Sequence, residues 1–156
     1  MTILLDTGVF YGFFDSKDPH YVDSTAILIN CLEGKFGQPY TSDYVVLETT
    51  LLTQRKLGGE VPLSFLDFLR ESKIRIITIG IEYYEKTLEL FREKFPRLSI
   101  ADAASITIIN DLGIPLLASY DIRSFQGLVK EIQGVNYFQS LSREEQSLVK
   151  KKMKTN

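Results

Sequence analysis

The chain contains one cysteine and one histidine in 156 residues. A lone Cys31 excludes an intrachain disulfide and fits a reducing compartment. It follows the apolar stretch Ala26-Ile27-Leu28-Ile29, where a buried structural thiol is expected rather than a nucleophile. A lone His20 excludes any mechanism built on paired acid and base imidazoles, and its position ahead of an apolar helical pattern marks it as a helix-start residue. Zinc has no Cys/His cluster to favour it. No apolar run reaches the roughly 18 residues of a membrane span, and the first residues lack a basic region followed by a signal-type stretch. The expectation is a soluble, cytoplasmic protein without a membrane partner. The net charge of −2 provides no general attraction to phosphates, so a nucleic-acid partner would need local basic patches. Lys150, Lys151, Lys152 and Lys154 form one candidate patch, which a solvated terminus explains equally well.

What the chain does have is a 44% hydrophobic composition, enough at this length for one domain with a core. Short apolar strands alternate with longer helical patterns, the mark of an α/β fold with a central parallel β-sheet flanked by α-helices. Residues 2–5 read as a strand, 7–14 as a short helix, and His20 to Leu32 as a second helix stopped at Gly34. An extended piece around Pro39-Tyr40-Thr41 leads to a helix capped by Ser42, carrying Glu48 and ending at Gly58-Gly59. Residues 60–72 form another helix, with Leu63, Leu66 and Leu69 at helical spacing. Residues 75–79 read as a strand, and Ile81, Leu88 and Phe91 mark a helix closing at Pro96. Ser99 opens the next helix, Gly113 ends it, and Ile114 to Ala118 form a strand. A last strand is expected near Val135 to Phe138, and Ser142-Arg143-Glu144-Glu145 is a capping-box pattern opening a terminal helix.

Against this background four acids interrupt apolar surroundings. Asp6 follows Ile3-Leu4-Leu5, Glu48 sits between Val45-Val46-Leu47 and Leu51-Leu52, Asp102 lies within Ile100-Ala101 and Ala103-Ala104, and Asp121 comes just after Leu116-Leu117-Ala118. A carboxylate taken out of water is costly unless paired, hydrogen-bonded or bound to metal. Four converging carboxylates would make an all-oxygen site suited to Mg²⁺ or Mn²⁺. Asp6 and Asp121 follow strands and therefore belong to the carboxyl edge of the sheet, where ligands bind in open α/β folds. Asp102 shares a helical face with Ile106 and Ile109, and Glu48 with Val45 and Leu52, placing both on or beside inward stripes. Each acid also has a structural explanation. Asp6 could cap the first helix, Asp102 could complete a capping arrangement with Ser99, Asp121 could shape a turn, and Glu48 could be a half-exposed helical residue. All four explanations would have to hold at once to remove the site.

The segments Leu4-Leu5-Asp6-Thr7-Gly8-Val9-Phe10, Val46-Leu47-Glu48-Thr49, Leu98-Ser99-Ile100-Ala101-Asp102-Ala103-Ala104 and Ser119-Tyr120-Asp121-Ile122-Arg123-Ser124-Phe125 resemble, in order and separation, the acidic motifs of PIN-domain ribonucleases. The resemblance spans roughly residues 2–140. Asp18-Pro19-His20 extends it toward the small VapC-type toxins of toxin–antitoxin pairs. It implies a three-layer α/β/α fold and Mg²⁺- or Mn²⁺-dependent cleavage of RNA. It further implies Asp6, Glu48, Asp102 and Asp121 as metal-binding and catalytic acids, and Ser119 as the hydroxyl that bonds a carboxylate or metal-bound water. Thr7 is a further candidate hydroxyl, which could equally cap the first helix. The chain departs from commoner family members at Thr49, where a second acid often stands, and in its Lys-rich extension. On this reading residues 1–140 are a nuclease domain, and 141–156 are its C-terminal helix and tail.

Phosphodiester hydrolysis independently suits such a composition, because divalent metal activates water and carboxylates hold the ion or accept a proton. The expected function is a divalent-metal-dependent endoribonuclease, the toxin of a toxin–antitoxin pair. The alternatives are a non-catalytic RNA- or protein-binding module of the same fold and an RNA-processing nuclease. A receiver domain would need neighbouring acids after the first strand, and a haloacid-dehalogenase-type phosphatase would need an Asp where Gly8 stands. Of eight tyrosines and ten phenylalanines most must be core, with Tyr11, Phe13, Phe14, Tyr44 and Tyr120 the candidates for stacking on bases. Val45, Val46, Leu51, Leu52, Leu63, Phe65, Leu66 and Phe68 exceed what one buried stripe needs, which points to a surface for a small antitoxin protein or a homodimer partner.

Overall fold

A computed structural model of the chain describes residues 1–155, so Asn156 at the end of the Lys-rich tail lies outside the described residues. The chain runs through β1 (Thr2–Leu5), α1 (Thr7–Phe14), α2 (Tyr21–Leu32), β2 (Gln38–Ser42), α3 (Asp43–Lys56), α4 (Val61–Glu71) and β3 (Arg75–Ile77). It continues through α5 (Ile81–Lys94), α6 (Ile100–Leu112), β4 (Leu116–Ala118), α7 (Ile122–Phe125), β5 (Glu131–Gln133), α8 (Tyr137–Ser140) and α9 (Arg143–Met153). Each strand pairs in parallel with its neighbour, in the order β3-β2-β1-β4-β5.

Strand periodicity explains how two cores form around this sheet. Ile3, Leu5, Leu116 and Ala118 face one layer, where Phe10, Ile27, Val45, Phe65 and Tyr137 pack. Leu4 and Leu117 face the other, with Ile106, Ile108 and Phe125. The result is the expected three-layer α/β/α architecture. Helix α9 belongs to the first layer through Val149, and the Lys35–Glu145 bond of 2.7 Å ties it to the segment after α2.

The helix-start signals work as their chemistry dictates. The Ser42 hydroxyl accepts from Val45 N–H at 3.0 Å, and capping boxes form at Ser99–Asp102 and Ser142–Glu145. Caps of this kind contribute about 1 kcal/mol each. Gly113 ends α6 in the left-handed conformation at φ 63°, where a side chain would be strained.

The fifth strand departs from expectation. It lies at Glu131–Gln133, not at Val135 to Phe138, and Tyr137–Ser140 is helical. The reason is tertiary. The Asp23 carboxylate of α2 accepts from Asn136 N–H at 3.0 Å and from Phe138 N–H at 2.8 Å, taking up donors that a strand would have offered to its neighbour. Asn136 turns the chain with φ 60°. Removing this acceptor by Asp23→Ala is expected to cost about 1–2 kcal/mol, read as a lower urea midpoint with an unchanged slope, while Asp23→Asn should retain part of the stability. An unaltered midpoint for the alanine variant would refute a stabilising role of Asp23 at the α8 turn.

Candidate active site

From β1 the chain winds outward to β2 and β3, then returns to the other side of β1 at β4, so the winding direction reverses between β1 and β4. A crevice forms beyond the carboxyl ends of strands at such a reversal. Asp6 follows β1, and its N–H donates to the Ala118 carbonyl at 3.0 Å. Ser119 follows β4, and its N–H donates to the Gln133 carbonyl at 2.9 Å. The strand register therefore sets the two side chains next to each other, and Ser119 Oγ donates to Asp6 Oδ2 at 2.7 Å. The same oxygen of Ser119 accepts from Asp121 N–H at 3.1 Å. Gly134 makes room for this corner, since a Cβ there would stand 2.2 Å from the Ser119 carbonyl oxygen. Tyr120 braces it from behind, its hydroxyl 2.7 Å from Ser24 Oγ and its ring stacked on His20 at 3.9 Å. His20 is thus the residue preceding α2 and a packing partner.

The remaining acids come from helices that start at the same edge. Glu48 lies in α3, which begins where β2 ends, and the Thr7 hydroxyl donates to its Oε2. Asp102 occupies the third position of α6, its Oδ2 accepting from Ser99 N–H at 2.9 Å. Asp121 accepts from Ser124 N–H at 3.0 Å and from Ser124 Oγ at 2.7 Å. Asp102 and Asp121 therefore also perform the structural roles their positions allowed, whereas the Asp6 side chain makes no cap bond to α1. Glu48 is exposed rather than turned inward, because Val45, Thr49 and Thr53 form the buried face of α3. Thr49 is fully buried with its hydroxyl unpartnered, so the position where commoner family members often carry a second acid does not border solvent here.

The electrostatics link the four. Asp6 is 8% exposed, and burial pushes its carboxyl up to about 7 against the opposing bond from Ser119, with Asp102 and Glu48 adding to the rise. Burial also raises Asp102, the Ser99 bonds oppose the shift, and Asp121 and Glu48 reinforce it. Each carboxylate is held by a serine or threonine, and among the described residues none forms an ion pair with Lys or Arg. Also among the described residues, no three Asp, Glu, His or Cys side chains stand close enough for a closed cation cage. The carboxylates lie within electrostatic range of one another in pairs, Asp6 with Asp102 and Glu48, and Asp102 with Asp121 and Glu48, an all-oxygen set of the kind that suits a hard cation retaining water.

A groove of about 510 Å³ adjoins them, lined by Tyr44, Leu47, Glu48, Leu51, Ser99 and Ile100 among others. Of the aromatic candidates Tyr44 borders this groove, whereas Phe13 and Phe14 pack against each other and Phe68, and Tyr11 donates to Asp15 at 3.1 Å. Val45 and Phe65 are buried, while Leu51, Leu63 and Leu66 remain exposed. Cys31 is buried and its thiol pushed up to about 12, which makes it inert. In the tail, Lys152 pairs with Glu33, just beyond α2 on the side where β2 enters the sheet, and Lys150 lies 5.8 Å over the Phe138 ring. Sequence reasoning did not single out Ser24, Ser124 or Gly134, whose roles depend on contacts across the fold.

Residues 3–130 match the PIN domain. The VapC ribonuclease of Archaeoglobus fulgidus is 33% identical over 153 residues, covering 96% of this chain and 93% of that protein. Among solved structures, the sarcin–ricin loop cleaving toxin VapC20 of Mycobacterium tuberculosis has a TM-score of 0.69 at 19% identity, covering 82% of this chain and 97% of that one. A toxin–antitoxin complex from Klebsiella pneumoniae has a TM-score of 0.60 at 18% identity, with coverages of 84% and 96%. The chain belongs to the PIN-domain family. Within that family its likeness is to the VapC-type ribonucleases.

The Asp6 environment sets a pH dependence. Its carboxyl titrates at an ordinary 3.8 in the unfolded chain and at about 7 in the fold. Between those values the folded protein holds a proton that the unfolded chain has released, so this group's contribution to stability falls as pH rises through the window. Metal-free wild type should therefore lose more melting temperature than Asp6→Asn between about pH 4 and pH 7. Parallel melting curves for the two would refute a burial-strained Asp6.

Proposed function

We propose that this protein is a divalent-metal-dependent endoribonuclease that hydrolyses RNA phosphodiester bonds as the toxin of a toxin–antitoxin pair. The observation that carries the reading is a buried Asp6 whose carboxyl is raised by burial and by Asp102 and Glu48, with Asp121 acting in turn on Asp102, each acid hydrogen-bonded by a Ser or Thr and, among the described residues, none paired with a protein cation. That set fits Mg²⁺ or Mn²⁺, with Asp6, Glu48, Asp102 and Asp121 as the residues that would hold the ion. A divalent cation so held supplies charge neutralisation at phosphorus and a nucleophilic water near neutral pH.

The protein's own groups prepare the rest. Ser119 fixes Asp6 through Oδ2, Thr7 fixes Glu48 through Oε2, and Ser99 fixes Asp102 through Oδ2. Each carboxylate is thereby oriented while retaining lone pairs for ligation. Glu48 is exposed, and its carboxylate can accept the proton of the attacking water. Tyr44 on the groove wall offers a ring for base stacking, worth about 1–3 kcal/mol.

The exposed Leu47, Leu51, Leu63 and Leu66 form the apolar surface for protein partners, a small antitoxin covering the site entrance and a second copy of the chain. An antitoxin suited to this surface carries an apolar helical segment and a basic side chain that reaches the acids. Among the described residues no helix is long and apolar enough to cross a membrane, and the reading places the enzyme with RNA in the cytoplasm.

Asp6→Asn and Asp102→Asn are each expected to reduce RNA cleavage by about a hundredfold or more, with an unchanged circular-dichroism spectrum. Chelation should abolish wild-type cleavage, and Mg²⁺ or Mn²⁺ should restore it while raising the melting temperature. Full activity in both variants would sink the four-acid site. Expression of the chain alone should arrest growth of a bacterial host, Asp6→Asn should relieve the arrest, and the product of an adjacent small gene should restore growth and co-purify with the protein. Harmless expression of an active enzyme would instead assign it to RNA processing.

A further inference from the structure

A site lined by acids repels a polyanionic substrate unless cations on its rim offset that repulsion. Two arginines stand at this rim. Arg97 lies two residues before Ser99, the cap that holds Asp102, and Arg123 lies two residues after Asp121. Together with Pro96 and Ser124 they line an open cleft of about 360 Å³ without an acidic wall.

The cleft is tied to the acids by hydrogen bonds. Ser124 Oγ lies 2.7 Å from Asp121 Oδ2 and 3.3 Å from the Arg97 carbonyl oxygen. The Arg97 guanidinium donates to the Gln126 carbonyl, which restrains it beside α7. Both arginines are exposed, and among the described residues neither forms an ion pair. Nearby Lys94 is already paired with Glu93 at 2.9 Å, which leaves the two guanidinium groups as the free cations of this cleft. Arginine presents a planar fork of donors that matches phosphate oxygens two at a time, and a restrained fork loses less entropy on binding.

We propose that Arg97 and Arg123 form a phosphate-binding subsite that holds an RNA backbone phosphate beside the one being cleaved. This rests on the ribonuclease reading and adds the element that the acids lack. The strand would be anchored by guanidinium at one side of the crevice and hydrolysed at the carboxylates. Because backbone phosphates are common to every sequence, the subsite contributes affinity and register rather than sequence choice.

The test is binding of a fluorescently labelled, mixed-sequence single-stranded oligoribonucleotide in Ca²⁺ across a salt series, with cleavage of total cellular RNA in Mg²⁺ or Mn²⁺ run in parallel. The variants are Arg123→Ala, the double Arg97→Ala/Arg123→Ala, the double lysine replacement, and Arg70→Ala/Lys73→Ala as a charge-matched control at the opposite edge of the sheet, where α4 leads into β3. The double alanine variant should weaken binding roughly ten- to a hundredfold, and the slope of log K against log salt should shrink by about 0.7 for each phosphate that is no longer neutralised. Lysines should restore the slope but only part of the affinity, and Arg123→Ala should show the same direction of change even if the double variant folds poorly. Binding and salt slope in both alanine variants equal to those of the Arg70/Lys73 control would overturn the subsite while wild-type cleavage left the ribonuclease reading standing. A wild type that neither binds nor cleaves RNA would overturn both.

Discussion

The arrangement of the candidate site depends on a carboxylate being held inside the protein where β1 meets β4. The pairing of Leu5 with Ala118 continues one residue further through the Asp6 N–H bond to Ala118, and this places Asp6 against Ser119. A buried carboxylate with a hydroxyl partner and no protein cation is an unfavourable arrangement by itself. The fold sustains it because fully buried apolar side chains on both faces of the sheet fix the two strands rigidly. Stability supplied by the cores is spent locally at the crevice, a common pattern in sites that must bind charge.

The other three acids extend that arrangement outward. Asp102 is half-buried, and Glu48 and Asp121 are exposed, so negative charge runs from the sheet interior to solvent. The hydroxyls of Ser119, Thr7 and Ser124 and the backbone N–H of Ser99 orient these acids without neutralising them. A lysine or arginine paired with these carboxylates would have satisfied them and removed their capacity for an external cation. The same logic gives a role to the arginines that stand close in sequence to Asp102 and Asp121 yet form no ion pair among the described residues. They lie outside the carboxylate cluster, where positive charge can meet substrate instead of quenching the site.

Dual use of residues accounts for how so much fits into a chain of this length. Asp102 completes the capping box of α6, and Asp121 holds Ser124 at the start of α7, yet both also contribute charge to the crevice. A structural role for these two acids therefore does not exclude a role in the candidate site, since both stand at helix starts beside the crevice. Helices α3 and α6 begin beside the carboxyl edge of the sheet, and backbone N–H groups at helix starts favour acidic partners.

Local chemistry makes much of this legible from the chain alone. Strand alternation, the Ser42, Ser99 and Ser142 caps, and Gly113 are properties of short segments, and they determined most elements and the parallel α/β class. The ordered spacing of Asp6, Glu48, Asp102 and Asp121 marked the candidate site, because an acid in an apolar run demands a reason wherever the chain goes. Three-dimensional packing decided the rest. Asp23 reaching Asn136 and Phe138 converted an expected strand into a turn and helix, Gly134 admitted the Ser119 corner, and Lys152 was drawn to Glu33. The burial that raises Asp6, the exposure of Glu48 and the cleft joining Arg97 to Arg123 likewise exist only after distant segments meet. Sequence determined which groups were available and which backbone each would ride on, while the fold decided their neighbours, because desolvation and hydrogen-bond partners are set by contacts that no local pattern encodes.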